Sequence, residues 1–177
     1  MSSLVRSFED ALDEVAMAIE EDRLNDYLSS IIAGNEHMSF YEQQERRIEN
    51  ILGKDLLEVS NESLGVYLNY LKKHIVKPCL LTGREDFKWE EYYVIGPGDI
   101  KEYEELKKTK PSYTDTFEFL EFDDNYYNEE EGLFIWGKRV SDGKKFPFPL
   151  EDLEAVDNRS KNYILFEDYS SWFVNYH

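Results

Sequence analysis

The chain has little of several features that mark common protein classes. Its one cysteine, Cys79, excludes an intramolecular disulfide and a cysteine-based zinc site. No apolar run approaches the ~18 residues that a membrane span needs, so no membrane partner is expected. The first residues do not combine a basic stretch with an apolar one, which is the pattern of a signal peptide. A cytoplasmic location is therefore expected.

Basic residues are also scarce. The 20 Lys and Arg residues are outnumbered by 38 Asp and Glu residues, and the formal net charge is -18. Nucleic-acid phosphates are bound through Lys and Arg, so this balance argues against a nucleic-acid partner. It suits a cation ligand, a basic protein partner or simple solubility. Hydrophobic residues still make up 41% of the chain, which is enough for a core.

The spacing of apolar residues predicts that the first part of the chain is helical. In residues 4–32 they recur at intervals of three and four, as on one face of an amphipathic helix. A second helix is predicted over residues 39–52, and a third is predicted to begin at a cap formed by Ser60 or Asn61. Residues 1–76 are therefore predicted to form a helical segment.

The composition changes after Pro78. Of the 27 aromatic residues, 21 follow it, and aromatic side chains favour half-buried strands. Strands are accordingly predicted over residues 89–95 and 114–122, with a short charged helix or turn over residues 100–108. Residues 163–176 are predicted to form a strand, a turn and a short element.

A turn dipeptide marks a β-hairpin in the same region. Asp142-Gly143 stands between the apolar stretches 133–140 and 144–148, the typical pattern of two paired strands. Residues 77–177 are therefore predicted to form a compact, acidic and aromatic-rich β domain, mostly antiparallel, with closure into a barrel as an option. Together with the helical segment before it, the predicted fold class is α+β.

Sequence motifs for catalysis are missing. No Walker A, no G-x-G-x-x-G and no G-x-S-x-G sequence occurs. His37, His74 and His177 do not form a two-histidine zinc spacing. The carboxylates are so numerous that no single pair stands out as a general acid and base. The chain is therefore not expected to be an enzyme.

Clustered carboxylates make oxygen ligation of a cation the leading chemistry. An EF-hand loop starting at Asp123 would need Gly at its sixth position and Glu at its twelfth. Asn128 and Phe134 stand there, so the EF-hand match fails. Each acidic cluster is also explained by solvated loop charge, and from the residues alone both interpretations stay open.

Seven stretches of the second part resemble a known family. They are KPCLLTGREDF at 77–87, WEEY at 89–92, EYEEL at 102–106, PSYTD at 111–115, SDGKKF at 141–146, PLEDL at 149–153 and DYSSWFVN at 168–175. These stretches resemble the bacterial calcium-binding proteins typified by the small acidic calcium-binding protein of nitrogen-fixing cyanobacterial filaments. The resemblance covers about 100 residues, from Lys77 to the end.

The resemblance implies calcium binding by surface carboxylates outside an EF-hand, with a buffering or sensing role. The carboxylates that suit ligation in this region are Glu85, Asp86, Glu90, Glu91, Asp99, Glu102 and Asp115. The ion is expected near these residues and not in the acidic loop 123–131, because ordering a loop with few anchors costs backbone entropy. The alternative is an acidic protein-interaction module that binds a basic partner.

Overall fold

The computed structural model describes residues 39–177. The chain divides into two compact units, Met1–Gln43 and Gln44–His177. The first unit lies almost entirely outside the described residues, and so does the helix predicted over residues 4–32. The second unit consists of an antiparallel sheet with helices packed on it.

Two helices precede the sheet. Helix α1 (Phe40–Leu52) and helix α2 (Asn61–His74) confirm the second and third predicted helices. Gly53, at a φ of 74°, follows the end of α1 in the left-handed region that glycine adopts without strain. Ser60 caps α2, because its hydroxyl accepts from the Ser63 amide while the Ser63 hydroxyl accepts from the Ser60 amide.

The sheet is open and has the strand order β4-β3-β2-β1-β5. Its strands are β1 (Leu80–Gly83), β2 (Phe117–Asn128), β3 (Gly132–Arg139), β4 (Lys145–Pro149) and β5 (Leu153–Ala155). All neighbouring strands pair antiparallel, which confirms the α+β prediction, whereas closure into a barrel does not occur among the described residues. The hairpin predicted around Asp142-Gly143 is also confirmed, with β3 and β4 as its strands.

The strand predicted over residues 89–95 is wrong. These residues contain a short helix, α3 (Glu91–Val94), which is followed by the helix α4 (Ile100–Lys107). The Val94 amide donates to the carbonyl of Glu90 over 2.9 Å, as in a helical turn. Bulky residues favour strands, but here Trp89 and Tyr93 pack against the ring of Tyr103 in α4, and these tertiary contacts override that preference.

The prediction for residues 163–176 is also wrong, because one helix, α5 (Lys161–Asn175), occupies them. Ser160 caps it by accepting a hydrogen bond of 3.1 Å from the Tyr163 amide. Its buried side chains recur at intervals of three and four, as on the inner face of a helix. They include Leu165, Phe166, Tyr169, Trp172 and Phe173.

The core lies between the sheet and the helices α2 and α5. Tyr67 of α2 stacks on Trp172 of α5 with ring centroids 4.9 Å apart, and both side chains are fully buried. The Trp172 indole donates to the carbonyl of Leu57 over 2.6 Å. Phe117 and Ile135 of the sheet belong to the same cluster. The division into residues 1–76 and 77–177 stays a prediction.

Candidate metal centre

Carboxylates from four parts of the chain line one open cleft of about 640 Å³. We call it the acidic cleft. They come from the loop after β1, from α3, from the turn between β2 and β3, and from the 3-10 turn Leu150–Asp152. The seven side chains are Glu85, Asp86, Glu91, Glu130, Glu131, Glu151 and Asp152. Three of the predicted ligands, Glu85, Asp86 and Glu91, are therefore brought together.

The pairing of β1 with β5 builds one side of the acidic cleft. Gly83 lies opposite Leu153 in the register, so the chain leaves β1 beside the point where it enters β5. The amide of Arg84 continues this contact by donating to the carbonyl of Asp152 over 2.8 Å. Glu85 and Asp86 are thereby placed beside the 3-10 turn that carries Glu151.

Burial and mutual repulsion act on the carboxylates of this 3-10 turn. Burial raises the pKa of Asp152, and the nearby charge of Glu85 raises it further. Burial also raises the pKa of Glu151, with a second contribution from Asp152 and an opposing one from His177. Negative charge is thus held here against its own repulsion, which a cation would relieve.

The turn between β2 and β3 supplies the opposite carboxylates. Asn128 holds it, since its side-chain oxygen accepts from the amides of Glu130 and Glu131, each over 2.9 Å. The Glu131 carboxylate accepts from the Tyr126 hydroxyl and from the side-chain amide of Asn128, and these hydrogen bonds lower the pKa of Glu131. The stretch 123–131 was interpreted as a loop with few anchors, but β2 extends to Asn128 and leaves a short, well-bonded turn.

The same turn is attached to α2 and to the end of the chain. The Glu129 carboxylate accepts from the Asn61 amide over 3.1 Å and from the Asn61 side chain over 3.2 Å. The carbonyl of Glu129 lies 2.7 Å from Nε2 of His177. Glu129 therefore faces α2, while the next two residues, Glu130 and Glu131, line the acidic cleft.

A basic residue of the acidic cleft is held by other groups. The guanidinium of Arg84 forms an ion pair with Glu167 of α5. It also donates to the carbonyl of Glu151 over 3.3 Å and to that of Leu153 over 3.4 Å. The guanidinium of Arg84 is therefore bound to backbone carbonyls and to α5.

Glu90 is a structural residue in this fold. It is fully buried, and its Oε1 accepts from the hydroxyls of Ser112 and Tyr103 over 2.7 and 2.8 Å. Its Oε2 accepts from the amides of Tyr113 and Phe87 over 2.8 and 3.2 Å. Both oxygens are thus engaged in joining α3 and α4 to the segment before β2.

The other predicted ligands do not line the acidic cleft. Asp99 caps α4 by accepting from the amides of Lys101 and Glu102, over 2.9 and 3.0 Å. Asp115 forms an ion pair of 3.0 Å with Arg139. Glu102 is an exposed residue of α4.

Four carboxylates of the acidic cleft are absent from the predicted ligand set. Glu130 and Glu131 belong to an acidic run that is plain in the sequence. Glu151 and Asp152 lie within the stretch PLEDL that carries the family resemblance. Both signals were available, but only the three-dimensional structure shows that these residues line the same cleft as Glu85 and Asp86.

The acidic cleft is not a preformed cage. Among residues 39–177, no three Asp, Glu, His or Cys side chains lie close enough together to hold a metal ion as they stand. Binding of an ion there would therefore require that carboxylates of the acidic cleft rotate toward it.

Among residues 39–177, no helix is long and apolar enough to cross a membrane.

Comparison with known proteins gives two similar solved structures. The crystal structure of Anabaena CcbP has a TM-score of 0.48 and 17% sequence identity, and the match covers 77% of this chain and 93% of that one. A calcium-binding protein in its calcium-binding form has a TM-score of 0.48 and 18% identity, with 75% and 90% covered. No protein-family model and no curated protein matches the sequence.

Proposed function

We propose that this protein binds calcium in the acidic cleft and serves as a buffer or sensor without enzymatic activity. The observation that carries the proposal is the convergence of seven carboxylates from four parts of the chain on one cleft. Calcium takes six to eight oxygen ligands in a flexible geometry, and side chains from several elements can supply them.

The mechanism is neutralisation of carboxylates that repel one another. In the free protein the charge of Glu85 opposes ionisation of Asp152, and that of Asp152 opposes ionisation of Glu151. A divalent ion reverses the sign of these interactions and draws the side chains inward. A wide cleft with adjustable ligands suits calcium better than magnesium, which demands a tight octahedral site.

The family resemblance of the sequence supports the same placement. Glu85 and Asp86 lie in the stretch 77–87, Glu91 lies in WEEY, and Glu151 lies in PLEDL. Three of the stretches that carry the resemblance therefore contribute carboxylates to the acidic cleft. This agreement links the sequence-based expectation of calcium binding to one surface of the fold.

The test is a calorimetric calcium titration of the whole chain and of three matched double variants. Glu85→Gln with Asp86→Asn and Glu130→Gln with Glu131→Gln each remove two charges from the acidic cleft. Glu104→Gln with Glu105→Gln removes two exposed charges of α4. Each cleft pair is expected to weaken calcium binding at least about tenfold, because oxygen ligands are lost. The α4 pair should leave the affinity within about twofold.

Two results would contradict this placement. Equal weakening by all three pairs would mean that calcium is attracted by general charge, with no defined site. A further variant, Glu102→Gln, tests a predicted ligand outside the acidic cleft. If it abolished calcium binding while both cleft pairs bound calcium normally, the ion would lie near Glu102 and not in the acidic cleft. Matched additions of sodium separate ionic-strength effects from binding.

A further inference from the structure

One polar atom of the core has no hydrogen-bond partner in the part of the chain that the structure describes. It is the hydroxyl oxygen of Tyr67 in α2, and the Tyr67 side chain is fully buried. Burying a hydroxyl without a hydrogen bond costs free energy, so nearly all buried side-chain polar atoms bond to the protein or to an ordered water. The Tyr67 hydroxyl therefore points to a partner that residues 39–177 do not supply directly.

The ring of Tyr67 is held in place by its neighbours. It stacks on Trp172 with ring centroids 4.9 Å apart and meets the ring of Tyr169 edge-on at 5.3 Å. Both neighbours are themselves fixed, since the Trp172 indole donates to the carbonyl of Leu57 and the Tyr169 hydroxyl accepts from the amide of Leu133. Moving the Tyr67 ring would break these dense contacts, so the partner has to come to the hydroxyl.

The carboxylate of Asp168 is an acceptor with room for one more donor. Asp168 lies one helical turn before Trp172 on the buried face of α5. Burial raises the pKa of Tyr67, and the charge of Asp168 makes the next contribution. Asp168 accepts from Nε2 of Gln44 over 3.3 Å, and from Nε and Nη2 of Arg47 over 2.6 and 2.8 Å. A carboxylate has about four acceptor positions, so these three donors leave one of them open.

We propose that one internal water molecule binds between the Tyr67 hydroxyl and the Asp168 carboxylate. The water accepts from the hydroxyl and donates to the open position of the carboxylate. Such bridges are common where two buried polar groups are too far apart for a direct hydrogen bond. Since the ion pair of Arg47 with Asp168 attaches α1 to α5, the water adds α2 to the same junction. This site is separate from calcium binding in the acidic cleft.

The test compares Tyr67→Phe, which removes only the hydroxyl, with Tyr169→Phe as the matched control. Tyr169 is equally buried, but its hydroxyl already bonds the Leu133 amide over 2.8 Å, so its removal breaks a hydrogen bond within the chain. Urea denaturation of the full chain, with a calcium chelator present, measures the folding equilibrium constant. Magnetic relaxation dispersion of the solvent counts the long-lived internal waters in each variant.

Tyr67→Phe is expected to lower the folding equilibrium constant about fivefold, as for a typical lost hydrogen bond, and to lose one internal water. Tyr169→Phe should also lower the folding equilibrium constant but keep the number of internal waters. An unchanged or higher folding equilibrium constant in Tyr67→Phe would overturn the proposal, because the hydroxyl would then be an unsatisfied group whose removal relieves a cost. A lower constant without loss of a water would overturn it in favour of a direct hydrogen bond between the hydroxyl and Asp168.

Discussion

Arg139 joins several parts of the described fold through its guanidinium. It is buried, at 3% exposure, and donates to Asp142 twice and to Asp115 once, over 2.7 to 3.0 Å. It also donates to the carbonyls of Lys107 and Lys110 over 3.0 and 2.8 Å. The end of α4 is thereby attached to the hairpin of β3 and β4.

We expect Arg139→Met to lower the free energy of unfolding by roughly 3–5 kcal/mol, because two carboxylates and the carbonyls at the end of α4 lose their buried partner. Urea denaturation at pH 7 measures the change. Lys138→Met is the control on the neighbouring, half-exposed position, where about 0–1 kcal/mol is expected for its surface ion pair. Similar losses in both variants would show that the network around Arg139 is unimportant.

The partner Asp142 makes this attachment sensitive to acid. The hydrogen bonds from Arg139, followed by those from Lys144, hold the pKa of Asp142 well below its usual range. A lowered folded-state pKa adds stability above the unfolded value of about 3.9, and this stability is lost as the pH falls through the folded pKa. Asp142→Asn should therefore lower the melting temperature at pH 7, and the deficit should narrow below about pH 4.

Melting temperatures from pH 7 to pH 3 measure this effect, with the exposed Asp55→Asn as control. A deficit for Asp142→Asn that stays constant over the whole range would mean that the carboxylate charge does not contribute.

Single residues show what could be read from the sequence and what could not. Cys79 belongs to a residue type that is often fully buried, and it is 3% exposed. Glu90 was expected to be a calcium ligand, because it is a carboxylate in a stretch that carries the family resemblance. The four groups that donate hydrogen bonds to its carboxylate belong to residues 87, 103, 112 and 113. Because these residues are spread along the chain, no sequence pattern indicates that they meet at one carboxylate.

At the scale of elements, the caps and turns that neighbouring residues determine could be predicted from the sequence. The elements that tertiary contacts determine could not. The turn at Asp142-Gly143 and the cap of α2 depend on neighbours within a few residues. The turn was predicted correctly, and the cap is Ser60, one of the two predicted candidates. Helices α3 and α5 are rich in aromatic residues and were predicted to be strands or irregular. The spacing of Trp89 from Tyr93, and of Tyr169 from Phe173, is four residues, which is the helical signal that residue type obscured.

The turn that presents Glu130 and Glu131 depends on one glycine. Gly132 has a φ of 68°, and a Cβ atom there would lie 2.5 Å from the Tyr169 hydroxyl and 3.0 Å from the Phe173 ring. We expect Gly132→Ala to cost roughly 2–4 kcal/mol, since backbone strain adds to overpacking against α5.

Gly143 provides a matched control for this substitution. Its φ is 75°, but nothing lies within 4 Å of an added Cβ atom. Gly143→Ala should therefore cost about 1–2 kcal/mol, from the backbone term alone. Chemical denaturation of both variants separates the two terms, and equal losses would show that packing against α5 adds nothing.

At the scale of the whole molecule, the position of the domain boundary can be tested. The fully buried Leu64, Tyr67 and Leu71 of α2 share a core with Trp172. We therefore expect a fragment of residues 44–177 to keep its near-UV circular dichroism. A fragment of residues 77–177 should lose that signal and retain far-UV signal, as expected for a state without fixed packing. A native near-UV spectrum for the shorter fragment would instead support the boundary predicted at residue 76.

Glu129 links α2 to the turn that carries two carboxylates of the acidic cleft. It bonds the first residue of α2, Asn61, while the next two residues of the turn face the cleft. An ion that draws Glu130 and Glu131 inward must move or stiffen the backbone that holds Glu129. The Asn61 amide is then a remote reporter: its NMR resonance should shift and its hydrogen exchange should slow with calcium, in step with the calorimetric saturation. Sodium at equal ionic strength should leave both unchanged. The N-terminus of one helix would thus register whether an ion is present at a site that it does not touch.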